Sequence, residues 1–429
     1  MAWLAQARDE GRVDRDYHHW DELRYRTPPQ GLDLEGWWFA LKVMRQASAR
    51  VLPLMDVTGT GMRFSMPDTV LEALHHVDSL LRGNIVVSEQ ITDPANRDRY
   101  IVSTLMEEAI TSSQLEGAAT TQRVAKEMLR SGRPPRTHGE RMILNNFQAM
   151  RFVQEVRGRP LSRDIVLRLQ EIVTREALDD PSASGRLRRP DEDVRVVDVE
   201  TGETVHVPPA AGELNRRLEA MISFANGEPK GVFVHPVVRA IVLHFWLAYD
   251  HPFVDGNGRT ARALFYWCML HSEYWLCEYI SLSKVLHASP AAYARAYQYV
   301  ETDEGDVTYF LVHQLHAIRT ATDELVRFIR RKQKQVRDTE ALLRDARDLN
   351  HRQIALLSHA LRHGDASYTL HSHGMSHNVA YATARADLLG LVAAGLLEKR
   401  RSGKAFIFRP VQRMEAGIAR LRRQRRAGS

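Results

Sequence analysis

The chain has few cysteines, no long apolar run and little excess charge of either sign. Cys268 and Cys277 are the only cysteines among 429 residues, which excludes a disulfide framework and a cysteine-based zinc site. No apolar stretch reaches the roughly 20 residues that a transmembrane helix needs, and the N-terminus lacks a basic-then-apolar leader pattern. We therefore expect no membrane partner, and the cytoplasm is the default compartment.

Composition indicates a globular protein and leaves its partners open. The 59 basic and 53 acidic residues give a net charge of +6, with 44% hydrophobic and 26% charged residues, as in ordinary soluble domains. This small excess does not by itself indicate nucleic acid, and part of it lies in an arginine-rich tail. The length suits two or three domains, and the chain contains no internal repeat.

The most informative stretch is His251–Arg262, HPFVDGNGRTAR, which lies between two strongly apolar helical runs. Its centre, Asp255–Gly258, predicts a turn, and Arg259 opens the next helix. Free backbone N–H groups at a helix start, next to glycines and arginines, form a ready anion site. The stretch therefore predicts a phosphate cradle flanked by one imidazole and one carboxylate.

Each residue type in this stretch suits phosphate chemistry. The two glycines let the backbone approach phosphate oxygens. Arg259 and Arg262 lie three apart on one helix face and can reach two successive phosphates. Asp255 offers an oxygen ligand for Mg²⁺, and His251 can take a proton from a hydroxyl. A plain turn between two buried helices is the alternative interpretation.

The stretch resembles the signature of the Fic family, His-Pro-Phe-x-(Asp/Glu)-Gly-Asn-Gly-Arg-x-x-Arg, without a gap or substitution. Members of this family typically transfer AMP from ATP to a hydroxyl of a target protein. The resemblance implies a mainly α fold, with a Fic-type helical core and a β-hairpin flap, that uses ATP and Mg²⁺. It implies that His251 is the base and Asp255 the metal ligand. The implied phosphate-binding residues are Gly256, Asn257, Gly258, Arg259 and Arg262.

A second motif lies upstream, where a helical pattern over residues 103–117 stops at a glycine. From the residues alone, Ser112-x-x-x-Glu116-Gly117 is a helix end with Gly117 as its cap. Many Fic proteins carry an inhibitory helix with the pattern (Ser/Thr)-x-x-x-Glu-(Gly/Asn), and this chain resembles the class with that helix upstream in the same chain. The resemblance implies that Glu116 pairs with Arg262 and prevents productive ATP binding, with Ser112 steadying the helix.

Residues 194–207 predict a β-hairpin, because two β-branched runs flank an acidic tip. The hairpin resembles the family's flap, which lies over the active site and pairs with the target's backbone by strand addition. A surface hairpin without such a role is the alternative. The flap residues expected to dock the target are Val194, Val196, Val199 and Val205.

Residues 1–95 are expected to be mainly helical, with helices over 34–49 and 66–82. The second helix is expected to turn Leu71, Leu74, Val77 and Leu81 inward. Further along the chain, His244 is expected to be a core histidine. The tyrosines that follow the signature can stack on adenine or pack between helices; they are Tyr293, Tyr297 and Tyr299.

Residues 350–410 predict a small α+β domain. Its helices are expected over 352–363 and 378–395, with a turn over 370–375 and two short strands near 396–409. This order resembles a winged helix, which implies that Arg385 projects from the recognition helix and that Arg400, Arg401 and Lys404 lie on the wing. Winged helices dock DNA or proteins, and both stay open. The three histidines 371, 373 and 377 are expected in the turn without an acidic partner.

These patterns divide the chain into an N-terminal helical region (1–95), a Fic domain (96–325), a charged connecting helix (326–349), a winged-helix domain (350–410) and a basic tail (411–429). We expect a self-inhibited protein adenylyltransferase that modifies a Ser, Thr or Tyr hydroxyl. AMP removal, or another phosphoryl or nucleotidyl transfer, is an alternative at the same site. A DNA-binding regulator with a nucleotide-sensing Fic part is the alternative outside enzymes. The target protein and the oligomeric state, a homodimer included, are left open.

Overall fold

The computed structural model describes residues 16–82, 94–197, 202–228, 233–344, 349–362, 366–402, 405–411, 414 and 417–418. The chain divides into two compact units, Met1–Leu325 and Val326–Ser429. The fold is mainly helical, as the sequence predicts, with small two-stranded sheets. Among the described helices, none combines the length and apolar character that crossing a membrane requires.

The N-terminal part of the first unit contains helices and one β-hairpin. Its elements are α1 (Trp20–Leu23), α2 (Leu34–Ser48), β1 (Arg50–Met55), β2 (Gly61–Phe64) and α3 (Asp68–Leu81). The described part of this segment is mainly helical, as expected, and the hairpin of β1 and β2 is an element that the sequence pattern does not indicate. Asp56 explains the reversal between them, because its Oδ1 accepts hydrogen bonds from the N–H groups of Thr58 and Thr60, both at 2.8 Å.

Helix α3 buries a face that differs by one residue from the prediction. Leu71 is 50% exposed, whereas Val70 is fully buried. The buried set Val70, Leu74, Val77 and Leu81 follows the i, i+4, i+7, i+11 spacing of one helical stripe. Leu71 lies about 100° around the helix from Val70 and therefore outside that stripe.

The rest of the first unit is a helical bundle. Its helices are α4 (Pro94–Leu115), α5 (Gln122–Ser131), α6 (His138–Val156), α7 (Arg163–Thr174), α8 (Leu214–Ala225), α9 (Pro236–Asp250), α10 (Asn257–His271), α11 (Leu282–Ala288), α12 (Pro290–Thr302) and α13 (Thr308–Arg344), the last of which continues into the second unit. A short hairpin, β3 (Val196–Val197) and β4 (Thr204–His206), precedes α8. Short 3₁₀ turns lie at Pro181–Ala183, Ala211–Glu213 and Trp275–Tyr279.

Helices α9 and α10 form the centre of this bundle. Trp246, Phe245, Trp267 and Phe265 are among its fully buried side chains. A helix that is apolar on all sides must be surrounded by others, and α10 contacts α4, α6, α7 and α9. The loop that joins α9 to α10 is therefore held by the most deeply buried part of the fold.

The second unit contains α14 (His351–Arg362), α15 (Leu370–His377), α16 (Tyr381–Ala393), β5 (Leu397–Ser402) and β6 (Ala405–Pro410). The two strands pair in continuous antiparallel register, and Tyr368 adds an isolated bridge to Phe408. Leu357, Leu388 and Phe408 are the centre of its core. Three helices followed by a hairpin make up this unit, and its assignment as a winged helix stays a prediction. Lys404 and residues 419–429 of the tail lie outside the described residues.

Two expectations about this unit are wrong. Residues 370–375 are not a turn but part of α15, whose start is fixed by a reciprocal pair of hydrogen bonds between Thr369 and Ser372. His373 does have an acidic partner, because its Nε2 lies 3.1 Å from Asp387 Oδ2. Burial would raise the pKa of Asp387, but hydrogen bonds from Arg352, Asn350 and His373 outweigh it and lower that pKa to about 2.

Candidate active site

His251 ends helix α9 in a left-handed conformation, with φ of 44°. Its backbone N–H donates to Leu247 O at 3.0 Å, and its ring Nδ1 lies 3.1 Å from Ala248 O. A carbonyl oxygen only accepts hydrogen bonds, so Nδ1 carries the hydrogen and Nε2 of the neutral ring keeps its lone pair. Burial lowers the pKa of His251. The ring is therefore neutral near pH 7 and has one nitrogen ready to accept a proton.

Arg188 holds the backbone around His251. Its Nε donates to His251 O at 3.0 Å, and its own backbone N–H donates to Pro252 O at 2.9 Å. Its Nη2 also donates to Pro209 O, shortly after strand β4. The Arg188 side chain is buried. Sequence reasoning missed this residue, because nothing distinguishes it from the other arginines of its run.

Asp250, the residue before His251, is held in place by three hydrogen bonds. Asp250 Oδ1 accepts hydrogen bonds from Arg217 Nε at 2.8 Å and Nη2 at 2.6 Å, and its Oδ2 accepts one from Trp246 Nε1 at 3.0 Å. Burial raises the pKa of Asp250. This buried, fully paired carboxylate ties the end of α9 to α8, which keeps the position of His251 constant.

The Asn257 side chain shapes the turn after His251. Its Oδ1 accepts a hydrogen bond from Phe253 N at 3.0 Å, and its Nδ2 donates to Phe253 O at 2.9 Å. The asparagine is 2% exposed. Both polar atoms of its amide are thus engaged by the loop's own backbone. A direct contact of this side chain with phosphate stays a prediction.

The two glycines of the turn are needed for different reasons. Gly256 has φ of +84°, and a Cβ there would lie 2.9 Å from Thr174 Cγ2. A Cβ on Gly258 would lie 2.2 Å from Glu116 Oε1. The Glu116 carboxylate therefore lies directly against the first turn of α10, where the cradle for an anion was expected.

Asp255 and Arg259 form an ion pair at the mouth of the turn. Arg259 Nη2 lies 3.1 Å and 3.0 Å from the two carboxylate oxygens, and its Nη1 donates to Val173 O at 2.9 Å. The Arg259 side chain is buried, whereas that of Asp255 is 44% exposed. Gln170 Nε2 donates to Asp255 O at 3.2 Å. Gln170 is a second loop-holding residue that sequence reasoning missed.

These residues suit a magnesium ion that arrives with its substrate. Asp255 presents a half-exposed carboxylate, and the described residues contain no cluster of three or more metal-ligating side chains. Protein sites for Mg²⁺ often use one or two carboxylates together with substrate phosphates and water. Asp255 therefore fits as the protein ligand of an ATP-bound Mg²⁺, and a resident ion held by protein groups alone does not fit.

Arg262 lies one turn into α10 and is bound by the end of α4. Its Nε donates to Ser112 Oγ at 2.8 Å, and its Nη2 donates to Ser112 O and to Glu116 Oε1, both at 2.9 Å. Arg262 is 2% exposed. Burial would lower the pKa of Arg262, but the Glu116 carboxylate outweighs it and raises that pKa. The chain after α4 turns at Gly117, with φ of +90°.

His244 and the tyrosines that follow the signature contact other side chains of the protein. His244 is fully buried, and its Nε2 lies 2.7 Å from Tyr293 Oη, which in turn lies 3.1 Å from Tyr297 Oη. The Tyr297 ring packs on Phe310 at 4.6 Å between centroids. Tyr299 stacks on the ring of His19, 4.1 Å away. Helix packing therefore accounts for these contacts without a nucleobase.

The flap hairpin is anchored next to the end of α9. Val196 pairs with His206 across the hairpin, and His206 Nε2 donates to Tyr249 O at 2.7 Å. Val205 is 36% exposed, whereas Val194 and Val196 are half-buried. Val199 lies outside the described residues. The two strands are shorter than the sequence pattern suggests.

Parts of the chain are similar to known proteins. Residues 160–269 match the family described as Fic/DOC family. The chain is 27% identical over 234 residues to the protein adenylyltransferase Fic of Drosophila mojavensis. The aligned residues are 54% of this chain and 41% of that relative. It is 38% identical over 69 residues to the protein adenylyltransferase Fic of Drosophila sechellia, 16% of this chain and 14% of that relative.

The chain thus spans less than half the length of the curated relatives it matches. Among solved structures, that of a Fic family protein from Desulfovibrio desulfuricans G20 aligns with a TM-score of 0.54 and 18% identity, over 80% of this chain and 96% of that one. This likeness concerns the fold alone. Ser112, Glu116 and Gly117 lie outside the range that matches the family.

Proposed function

We propose that this chain, whose residues 160–269 match the Fic/DOC family, transfers AMP from ATP to a Ser, Thr or Tyr hydroxyl of a target protein. We further propose that it inhibits itself through Glu116. The observation that carries this proposal is the position of the Glu116 carboxylate. It lies against Gly258 and is bonded to Arg262. The site therefore already holds an anion where ATP would place phosphate oxygens.

In the transfer, Nε2 of His251 accepts the proton of the target hydroxyl. The hydroxyl oxygen attacks the α-phosphorus of ATP, a new P–O bond forms, and the bond between the α-phosphorus and the bridging oxygen breaks. Pyrophosphate leaves with that bridging oxygen. Arg259 and Arg262 offset the charge that develops on it, together with the N–H groups at the start of α10. Mg²⁺, held by Asp255, would supply further charge neutralisation on the phosphates.

Self-inhibition follows from competition for Arg262. A γ-phosphate bound to this guanidinium must displace the Glu116 carboxylate, since both are anions and need the same donors. As long as Glu116 stays in place, ATP lacks one of its phosphate ligands, and its α-phosphorus is not aligned with His251. Ser112 supports this state by accepting two hydrogen bonds from the same guanidinium.

The flap hairpin can bind a target segment in an extended conformation. Val197 and Val207 are 50% and 60% exposed beside the hairpin, and a short exposed strand offers backbone groups to an added strand. We propose that the target backbone pairs here, close to the chain segment that carries His251. Val194, Val196, Val199 and Val205 remain the proposed docking positions.

Mass spectrometry of the Glu116→Gly protein, incubated with ATP and a cell lysate, tests this function. We expect a covalently added AMP on a hydroxyl side chain of at least one protein. An added phosphate or a different nucleotide would refute adenylyl transfer and assign another chemistry to the site. Release of AMP from the modified protein by the wild-type chain would assign the reverse reaction to Glu116.

The transfer rate should depend on pH through His251. A general base works in its neutral form, which predominates above its pKa, and burial lowers that pKa below the ordinary 6.5. Glu116 raises the pKa of His251, so its removal lowers the pKa further. We expect the rate of Glu116→Gly protein to fall as the pH is lowered and to reach half of its maximum below about pH 6.5. A half-maximal rate above pH 6.5 would contradict this role.

A second function, contact with duplex DNA, is favoured by charge in the second unit. Between residues 349 and 411 the described acidic side chains are Asp387, which is buried, and Glu398, which pairs with Arg400. Exposed cations remain on α16 and on the hairpin; they are Arg385, Lys399, Arg401 and Arg409. We propose that this face contacts phosphates of a duplex rather than a specific sequence.

The DNA proposal predicts a steep salt dependence. Replacing both Arg401 and Arg409 with alanine should weaken binding of a random duplex about tenfold at low salt and flatten the salt dependence, because fewer counterions are released. Arg130→Ala, an exposed arginine of the first unit, is the control and should leave binding unchanged. Fluorescence anisotropy at several salt concentrations measures this. Absence of binding at low salt would leave protein docking as the role of this unit.

A further inference from the structure

Glu108 is a buried carboxylate on the same helix as the inhibitory motif, eight residues before Glu116. It is 2% exposed. Its Oε2 accepts hydrogen bonds from Tyr266 Oη at 2.9 Å, Ser281 Oγ at 2.8 Å and Ser283 N at 3.0 Å, and its Oε1 accepts one from Ser283 Oγ. Within the described part of the chain it forms no ion pair. The proposed transfer chemistry does not use this group.

Burying an unpaired carboxylate is unfavourable unless donors replace its hydration. Here the donors come from two other elements, because Tyr266 belongs to α10 and the two serines to the start of α11. Charge-assisted hydrogen bonds of this kind are stronger than neutral ones. The carboxylate of α4 therefore joins three helices at one point.

The spacing along the two helices relates this point to the inhibitory contact. Tyr266 lies four residues after Arg262 on α10, and Glu108 lies four residues before Ser112 on α4, which is one helical turn in each case. Helices α4 and α10 thus run antiparallel, and two hydrogen-bonded pairs one helical turn apart join them. These pairs are Tyr266 with Glu108 and Arg262 with Ser112. A slide of α4 by one residue, about 1.5 Å, would break both pairs together.

We propose that Glu108 is a positioning residue for self-inhibition, which holds α4 in the register that places Glu116 over Gly258. This inference rests on the proposed function, since it names a residue that controls the same site. Glu108 does not touch substrate. It acts through the position of Glu116, and its loss releases the inhibitory carboxylate without altering His251 or the cradle.

Transfer rates in a double-mutant cycle test this role. Glu108→Gln keeps the size of the side chain but loses its charge, and we expect it to raise AMP transfer of the otherwise wild-type chain about tenfold, as expected for the loss of one charge-assisted hydrogen bond. In the Glu116→Gly background the same change should leave the rate unaltered, because there is no carboxylate left to position. An equal effect in both backgrounds, or none in the wild type, would refute the proposal.

Two further variants distinguish the proposed role of Glu108 from a general loosening of α4. Tyr266→Phe removes one donor and keeps the ring, and it should raise the wild-type rate by a smaller factor. Ser113→Ala removes a buried hydroxyl of α4 that donates to its own helix, to Ala109 O at 2.8 Å, and bonds no other element among the described residues. This change should leave the rate unchanged. Equal rises with Ser113→Ala and Tyr266→Phe would mean that general loosening of α4, not Glu108, is responsible.

Hydrogen exchange separates this inference from the proposed function. In Glu108→Gln protein the amides of residues 112–118 should exchange about tenfold faster than in the wild type, without nucleotide and whatever reaction the site performs. Unchanged exchange there would refute the positioning role even if transfer is confirmed. Conversely, faster exchange in a chain whose Glu116→Gly form transfers no AMP would refute the proposed function and leave the positioning role intact.

Discussion

Glu116→Gly protein that also carries His251→Ala should transfer AMP at least 100-fold more slowly than Glu116→Gly protein, while it still binds ATP. Positioned general bases contribute about 10²-fold to 10⁴-fold to a rate. His251 Nε2 has the free lone pair of a neutral ring, whereas the carboxylate of Asp255, the other possible base of the turn, is paired with Arg259. ATP affinity should persist because Arg262 and the start of α10 are unchanged.

The measurement is incorporation of labelled adenylate into protein, with ATP binding followed separately by calorimetry. His287→Ala replaces an exposed histidine on α11 and serves as the matched control, with an unchanged rate. Loss of both transfer and ATP binding would indicate that the alanine collapses the turn. Retention of transfer would remove His251 from the role of base.

Glu116→Gly alone should raise the transfer rate about 10-fold to 100-fold. Two opposite charges near 4 Å attract by roughly 4 kcal/mol at an effective dielectric near 20, and desolvation reduces the net value. A remainder of about 1.4 to 2.8 kcal/mol corresponds to this range of rates. Glu116 lies just after the last residue of α4, so the glycine adds little helix destabilisation and isolates the effect of the side chain.

Glu116→Gln is the matched variant, because it keeps the length of the side chain and removes its charge. It should give an intermediate rate, since an amide competes less well than a carboxylate for the Arg262 guanidinium. Adding Arg262→Ala to Glu116→Gly should lower transfer again, because the γ-phosphate then loses its ligand. A Glu116→Gly protein that modifies itself and other proteins no faster than the wild type would refute self-inhibition.

The central loop could be predicted from the sequence because its chemistry is contiguous. His251 and Asp255 lie in the short loop between α9 and α10, and α10 begins at Asn257, so local spacing is enough to place them and the glycines next to one another. The mainly helical fold also followed from the apolar pattern. The pairing of Glu116 with Arg262 was expected from the family resemblance and not from the residues alone, since the two lie 146 positions apart.

The side chains that hold the loop between α9 and α10 could not be identified from local sequence spacing. Arg188 bonds His251 across 63 positions, and Gln170 bonds Asp255 across 85. Neither residue type is unusual where it stands, and only the folded chain brings it to the turn. Glu108 is a comparable case, because its donors lie 158 to 175 positions away.

The mistakes in secondary structure have local causes. The hairpin of β1 and β2 is short, and its reversal depends on an Asp56 side chain that bonds its own backbone. The sequence of helix α15, LHSHGMSH, has few apolar residues and a glycine, and it therefore predicts a turn and not a helix. Its capping hydrogen bonds and its packing against α16 supply what its helix propensity lacks.

Labelling with ATP that carries radioactive phosphorus in either the α or the γ position tests the central claim most directly. Three proteins are compared: wild type, Glu116→Gly, and Glu116→Gly with His251→Ala. We predict that protein acquires the α label strongly in Glu116→Gly, weakly in the wild type and not in the His251→Ala form, and that it never acquires the γ label. Transfer of the γ label, or α labelling that survives His251→Ala, would contradict the assignment of this site.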